Sequence, residues 1–306
     1  MLNRAMSYVL GTLRMLSIGA FTGYLVAGAA LWLYQRHLIF EPAREMQAAP
    51  RDFSFPVLDT TIALPAAASG TKAQLHGWWI AADRADARVV LYLHGNDGNV
   101  STSMREIAPL RALGYAVFVI DYRGYGQSAG AFPSERSVYE DAEAAWHHLV
   151  ADKGIDPRRL YLYGHSLGGA VAIELATRHP EAAGLIVESS FTSIYDMARL
   201  EKPYKLFPVK LFLNQRFDSI DKVERLALPV LFIHGTADEV VPFSMGEQLY
   251  RRSGGAKRFV AIEGGRHDDN AVAGGQAFLA ALRNFVADTQ RAPGAAAQPA
   301  LNSSSM

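Results

Sequence analysis

The stretch LYLYGHSLGGAV, residues 160–171, decides the fold and raises the first functional question. Apolar and aromatic residues lead into a tight turn at Ser166, and small residues lead out of it into a predicted helix. Gly164 and Gly168 flank the serine, since side chains at these positions of a sharp strand-to-helix turn would collide with neighbouring backbone. The pattern therefore predicts either a serine that caps the helix or a nucleophile exposed for attack.

On both sides of this turn, apolar runs alternate with helical segments. An opening pair of strands is predicted at residues 53–64 and 74–82. Further strands are predicted at residues 88–95, 116–122, 159–164, 184–190, 229–235 and 258–264. Continuous apolar runs that are separated by helices are typical of strands buried on both faces. We therefore predict an α/β fold over residues 36–288, with a mostly parallel central sheet and helices on both faces.

Two polar residues downstream complete a candidate catalytic set with Ser166. A serine hydroxyl needs a base, and the base needs an acid that orients it. Asp238 follows the predicted strand at 229–235, and His267 follows the last strand, so both lie at the same sheet edge as the serine. Glu239 and Asp268 are alternative acids, but Glu239 lies one residue deeper in its turn and Asp268 directly adjoins the histidine.

The turns at this edge also offer candidate groups for binding substrate. The N–H of Leu167 at the helix start, and that of Asn96 in YLHGNDGN (92–99), are candidate donors to an oxyanion. An aromatic and basic segment, residues 194–228, interrupts the alternation and reads as a cap-like insertion. Phe191 and Tyr195 are candidate substrate-binding residues there, although they could equally serve only to cover the sheet edge.

The N-terminal segment differs from the rest of the chain. Residues 15–35 contain no charge, and about 21 helical residues span roughly 31 Å, the thickness of a bilayer core. We predict a single-pass transmembrane anchor here, preceded by a short segment at 1–14. A cleavable signal peptide is the alternative, since Ala27, Gly28 and Ala29 resemble a cleavage site. Arginines flank both ends, so the side of the membrane is not predicted.

Composition excludes several other classes of protein. The chain has 306 residues, 30 basic and 30 acidic, so neither a net charge nor a basic stripe predicts a nucleic-acid partner. It has no cysteine, which excludes disulfides and thiolate metal sites. We predict no metal and no cofactor, and we predict a disordered tail over the Ala-, Pro- and Ser-rich residues 289–306. The oligomeric state is not predicted.

Six motifs together resemble the α/β-hydrolase superfamily. They are LHGNDGN (93–99), DYRGYGQS (121–128), GHSLGG (164–169), ESSFTS (188–193), HGTADEVVP (234–242) and GGRHDD (264–269). They are most similar to its membrane-anchored branch, which is described as serine-aminopeptidase-like or lysophospholipase-like and is related to α/β-hydrolase-domain lipases and depalmitoylases. The resemblance implies Ser166 as nucleophile, Asp238 as acid, His267 as base, and Asn96 and Leu167 as oxyanion donors.

The predicted activity follows from these residues and this resemblance. We expect a serine hydrolase that cleaves carboxylic esters or thioesters of acyl or lipid type through an acyl-enzyme. A serine peptidase that acts on peptide or aminoacyl amides is the alternative. A non-catalytic binding protein on the same fold is a third hypothesis, whose usual sign would be a missing triad residue.

Overall fold

An eight-stranded sheet forms the centre of the molecule in the computed structural model, which describes residues 2–64 and 73–291. The strands are β1 (Val57–Ala63), β2 (Gln74–Ile80), β3 (Val89–Leu93), β4 (Ala116–Ile120), β5 (Leu160–His165), β6 (Gly184–Glu188), β7 (Val230–Gly235) and β8 (Lys257–Ile262). Their spatial order is β8-β7-β6-β5-β3-β4-β2-β1. Strands β3 to β8 pair in parallel, whereas β2 runs antiparallel to both β1 and β4. The predicted mostly parallel sheet is confirmed.

Helices cover both faces of this sheet, as predicted. The α-helices of the described residues are α1 (Leu2–Ile39), α2 (Met104–Ala112), α3 (Glu135–His147), α4 (Leu167–Arg178), α5 (Ile194–Leu200), α6 (Val209–Phe212), α7 (Ser219–Lys222), α8 (Phe243–Arg252) and α9 (Asn270–Arg291). Leu91 of β3 packs in the core shared with α3, α4 and α8, and its neighbour Tyr92 packs in the core shared with α2 and α9. Because alternate side chains are buried on opposite faces, the strands read as continuous apolar runs.

The N-terminal segment is one continuous helix that extends beyond the predicted span of residues 15–35. Its 38 residues make it roughly 57 Å long, well above the thickness of a bilayer core. Residues Met6–Ile39 are long and apolar enough to cross a membrane, a test that a signal sequence near the N-terminus also passes. The helix ends where the Asn96 side-chain amide donates to the carbonyl of Ile39 at 3.2 Å.

The predicted insertion at residues 194–228 divides into two parts. Helices α5 and α6, with a turn of 3₁₀ helix between them, project over the carboxyl edge of the sheet, and we call residues 194–213 the cap. Beyond the cap the chain returns to the main core, where the Phe217 side chain is fully buried and α7 packs against α4 and α8. The cap is therefore shorter than the predicted insertion.

The C-terminal helix continues past the predicted start of a disordered tail at residue 289. Helix α9 runs to Arg291, and the hydroxyl of Thr289 hydrogen-bonds that of Tyr161 on β5. Residues 289–291 are thus part of the fold, and the rest of the predicted tail, residues 292–306, lies outside the described residues.

Candidate active site

Ser166 occupies a strained turn between β5 and α4. Its backbone has φ 53° and ψ −119°, a conformation that L-residues rarely adopt. A Cβ on Gly164 would lie 2.1 Å from the carbonyl oxygen of Gly168, and a Cβ on Gly168 would lie 1.9 Å from that of Leu93. Both distances are impossible contacts, so the two glycines are what allow the chain to hold the serine at the sheet edge. Ser166 makes no side-chain capping bond to α4, which leaves its hydroxyl free for other partners.

The three residues predicted to act together are brought into one hydrogen-bonded chain. His267 Nε2 lies 2.9 Å from Ser166 Oγ, and His267 Nδ1 lies 2.9 Å from Asp238 Oδ2. Each residue follows a different parallel strand, and the carboxyl ends of those strands meet at one edge. The imidazole is thus held between a hydroxyl and a carboxylate, which is the geometry that general-base activation of a serine requires.

Asp238 is held ionised by its surroundings. Its side chain is fully buried and accepts hydrogen bonds at Oδ1 from the N–H groups of Val240 and Val241, at 2.9 and 2.8 Å. Its Oδ2 also lies 3.2 Å from Nε2 of His234. Burial raises the pKa of the Asp238 carboxyl, but the bonds from His234, His267 and the backbone outweigh it and hold that pKa well below its usual range. The acid therefore faces the base as a carboxylate.

The loop that carries His267 is held in place by contacts with His165 of β5 and Glu188 of β6. His165 Nε2 lies 3.0 Å from the carbonyl oxygen of His267. Asn270, at the start of α9, donates to the buried Glu188 carboxylate at 3.0 Å and to Ser189 Oγ at 2.9 Å. Burial lowers the pKa of His165, but the Glu188 carboxylate and the carbonyl of His267 outweigh it and raise that pKa above its ordinary value. These contacts tie the histidine loop to β5 and β6.

The loop after β3 is also held in a fixed orientation. The carbonyl oxygen of Asn96 accepts from Tyr125 Oη at 2.6 Å and from the N–H of Glu41 at 2.9 Å. The carbonyl of Gly95 lies 2.9 Å from Nδ1 of His94, and in a trans peptide the N–H of Asn96 points the opposite way. Leu167 is the first residue of α4, so its N–H has no carbonyl partner within the helix. Asn96, Leu167 and Ser166 line the same cavity.

A mostly apolar cavity of about 350 Å³ opens over the serine. Its wall comes from three places: the cap, the loops of the main domain and the last turns of α1. The apolar lining residues include Leu31, Trp32, Leu38, Ile39, Phe191, Ile194, Met197, Leu200, Phe207, Phe212, Leu213, Val240 and Val241. Of the two candidate substrate-binding residues, Phe191 lines this cavity. Tyr195 lines a neighbouring cleft on the other side of α5, with the Arg199 guanidinium over its ring.

One group of side chains near the serine could also hold a cation. His165, His267 and Asp268 each offer a ligand atom, and these atoms lie within 4.8 Å of one another. Both ring nitrogens of His267 are already engaged, by Ser166 and by Asp238. A metal bound through His267 would break one of these two bonds.

Comparison with known proteins identifies the family. A family model described as serine aminopeptidase, S33 matches residues 84–219. An uncharacterised protein of Mycobacterium tuberculosis is 32% identical over 284 residues, which are 90% of this chain and 96% of that protein. The α/β-hydrolase domain-containing protein WAV2 of Arabidopsis thaliana is 30% identical over 281 residues, 84% of this chain and 89% of that protein. This chain belongs to the α/β-hydrolase superfamily.

Solved structures share the fold of this hydrolase. The esterase Pf2001 of Pyrococcus furiosus superposes with a TM-score of 0.66 at 21% identity, covering 82% of this chain and 97% of the esterase. A puromycin-hydrolysing peptidase of Mycobacterium tuberculosis superposes with a TM-score of 0.59 at 23% identity, over 77% of this chain and 39% of the peptidase. At these identities the likeness concerns the fold alone.

Sequence reasoning missed two features of the site in this hydrolase. His234 is the penultimate residue of β7 and bonds the Asp238 carboxylate, and its position four residues before that aspartate in HGTADE was the available signal. The second feature is the contribution of α1 to the cavity, through residues from Gly28 to Ile39. The sequence did not predict this contribution, because the N-terminal run is apolar on every side and does not show which face of α1 packs against the rest of the protein.

Proposed function

We propose that this hydrolase is a serine hydrolase that cleaves carboxylic esters or thioesters of acyl chains. The observation that supports this most is the chain of two 2.9 Å contacts from Ser166 Oγ through the imidazole of His267 to Asp238. The strained backbone at Ser166 supports it further, because strain at a buried turn is retained where a side chain must be presented.

In the proposed mechanism, Ser166 Oγ attacks the substrate carbonyl while His267 Nε2 accepts its proton. The Asp238 carboxylate keeps the imidazole oriented and stabilises its charged form. The N–H groups of Leu167 and Asn96 donate to the oxyanion of the tetrahedral intermediate. The alcohol or thiol leaves with the proton from His267, and water then hydrolyses the acyl-enzyme by the same route.

The apolar cavity supports an acyl chain as the group bound. A cavity of about 350 Å³ is within the range of ligand-binding sites, and its wall offers aliphatic and aromatic contacts over most of its surface. Such a wall stabilises a hydrocarbon chain in proportion to the area removed from water. Asn96 and Leu167, whose N–H groups are the candidate oxyanion donors, line the same cavity as Ser166, where the carbonyl would react.

A serine peptidase is the second candidate, favoured by the description of the matching family model. An aminopeptidase must bind the ammonium group of its substrate, which calls for a carboxylate near the serine. Among the described residues that line the cavity, Glu201 on the cap is the one carboxylate. It is exposed to solvent, which weakens its attraction for a cation.

A substrate panel separates the two candidates. We expect the full-length protein in detergent to hydrolyse p-nitrophenyl acyl esters and an acyl-CoA thioester, and to leave alanyl and leucyl aminomethylcoumarin amides intact. Ser166→Ala measures the background. Turnover of the aminoacyl amides that falls in Glu201→Gln, with the esters untouched, would instead identify a peptidase.

We also propose that α1 is retained as a single-pass membrane anchor. Cleavage at the Ala27–Ala29 sequence would cut α1 between Tyr24, whose ring stacks on Phe207 at 4.9 Å, and Gln35, which donates to the carbonyl of Phe212 in the cap. A helix interrupted there would lose part of its packing against the cap.

Carbonate extraction of membranes tests the anchor. The protein is expected to remain in the pellet at full length, because α1 would span the hydrocarbon core. Ile18→Arg, at an exposed position of α1, is expected to weaken this retention, since an arginine in the bilayer costs about 2.5–3.5 kcal/mol on insertion scales. Release of a soluble form shortened by about 30 residues would instead establish a signal peptide.

A further inference from the structure

The last three turns of α1 form a wall of the cavity over Ser166. Gly28, Leu31, Gln35 and Ile39 are more buried than their neighbours within the helix and recur every three or four positions, so they lie on one face of the helix. All four line the cavity. By contrast, the described side chains of α1 before Gly28 are mostly exposed, apart from their few contacts with the cap. The helix therefore has a docked end and an end whose described side chains are mostly exposed.

Specific contacts hold the docked end against the enzyme. The buried Gln35 side chain accepts from the N–H groups of Asn214 and Gln215 at 2.8 and 3.3 Å, and donates to the carbonyl of Phe212 at 3.4 Å. At the end nearest the serine, the Asn96 side chain bonds the carbonyl of Ile39, which connects α1 directly to the candidate oxyanion loop. These bonds make α1 an integral part of the site.

The far end of this wall is formed by Gly28 and Phe207. Tyr24 stacks on the Phe207 ring with centroids 4.9 Å apart, and its hydroxyl donates to the carbonyl of Leu206 at 3.1 Å. A Cβ on Gly28 would lie 3.8 Å from the same ring, an ordinary contact distance. From Ile39 to Gly28 the helix extends roughly 16 Å, so the wall follows the cavity away from the serine for about three turns.

We propose that α1 from Gly28 to Ile39 is part of the acyl-binding site and that the absence of a side chain at Gly28 sets how long a chain the cavity accepts. This inference rests on the proposed function. A methyl group at Gly28 fits against Phe207, whereas a larger side chain must enter the cavity or displace the ring. Substitution at Gly28 thus shortens the space for the acyl chain without touching the serine.

The test compares Gly28→Leu with Gly23→Leu in the full-length protein in detergent. Gly23 lies on the same helix, and nothing lies within 4 Å of a Cβ added there. Gly23→Leu therefore changes the helix propensity by the same amount as Gly28→Leu but leaves the cavity unchanged. Substrates are p-nitrophenyl esters from butanoyl to hexadecanoyl, and alkyl fluorophosphonates of short and long chain report on the serine independently of turnover. We expect Gly28→Leu to lower kcat/KM for hexadecanoyl relative to butanoyl ester by about 10–200-fold.

A second variant works in the opposite direction. Leu31→Ala removes side-chain volume from the same wall, so it is expected to keep the hexadecanoyl preference at or above that of the wild type and to admit a branched acyl group. Thermal unfolding of each variant shows whether the fold is retained. Equal chain-length profiles for Gly28→Leu, Leu31→Ala and Gly23→Leu would overturn the inference while leaving the proposed function intact. Absence of both turnover and labelling in the wild type would overturn the proposed function and this inference together.

Discussion

Labelling of the purified protein by a fluorophosphonate is expected to disappear in Ser166→Ala and in His267→Ala. The probe reacts with an activated serine, and the 2.9 Å contact between Ser166 Oγ and His267 Nε2 is what would activate it. Removing either residue is expected to lower kcat for ester substrates by about 10⁶-fold, the loss known for triads that act as a unit. The double variant is expected to lose no more than either single variant.

Matched controls keep this result specific. Ser244→Ala and His147→Ala replace exposed residues on α8 and α3, and are expected to label like the wild type. Equal labelling of all variants would place the reactive serine elsewhere. Absence of labelling in every variant and in the wild type would favour the third hypothesis, a binding protein on a hydrolase fold.

Asp238→Asn is expected to lower kcat by about 10⁴-fold, as the equivalent change does in a serine protease. Asp238 Oδ1 accepts from two backbone N–H groups, and Oδ2 lies beside both His234 and His267. An amide nitrogen cannot accept hydrogen bonds, so asparagine would turn its NH₂ group toward the histidines. The imidazole of His267 would then hold the wrong tautomer for accepting the serine proton.

Two controls for this variant are the alternative acids of the sequence analysis. Glu239→Gln and Asp268→Asn neutralise exposed carboxylates near the site, and neither residue bonds Nδ1 of His267. Both are expected to retain activity within about an order of magnitude. A loss in Glu239→Gln comparable to that in Asp238→Asn would show that the acid had been assigned to the wrong residue.

Asp238→Asn is also expected to change how the stability of the folded protein depends on pH. Because the pKa of Asp238 is lowered in the folded protein, its carboxylate contributes stability that is fully present above its ordinary pKa of about 3.9. This contribution is lost as the pH falls below that value toward the pKa in the folded state. The difference in melting temperature between wild type and Asp238→Asn is therefore expected to be constant near neutral pH and to shrink below about pH 4. A difference that stayed constant in acid would contradict the lowered pKa.

Much of the site geometry was predictable because it depends on local rules. The glycines around Ser166 are required by atoms within the same turn and the adjacent strand end, so their pattern in the sequence was informative. Asp238 and His267 could be placed beside the serine because parallel strands bring their carboxyl ends to one edge, whatever the rest of the fold does.

The direction in which the Tyr195 side chain points could not be predicted from the sequence. Its place in an aromatic segment near the serine made it a candidate either for substrate contact or for covering the sheet edge, and successive helical residues point about 100° apart. Ile194, Met197 and Ala198 face the cavity, which leaves Tyr195 and Arg199 on the opposite side of α5. The rotation of a short helix about its axis depends on what it packs against, and the sequence of the cap did not contain that information.

By itself, therefore, the sequence determined the sheet, the strained turn and the three residues that meet there, since backbone sterics and strand order decide all of them. Only the tertiary structure decided that α1 forms part of the cavity. A run that is apolar on all sides has no preferred face. Gln35 Nε2 donates locally to the carbonyl of Trp32, but Gln35 Oε1 acquires its partners only when the chain returns about 180 residues later at Asn214 and Gln215. Contacts across such separations follow from the packing of the whole chain, which is why Gly28 could be read as part of a cleavage site and is found beside Phe207.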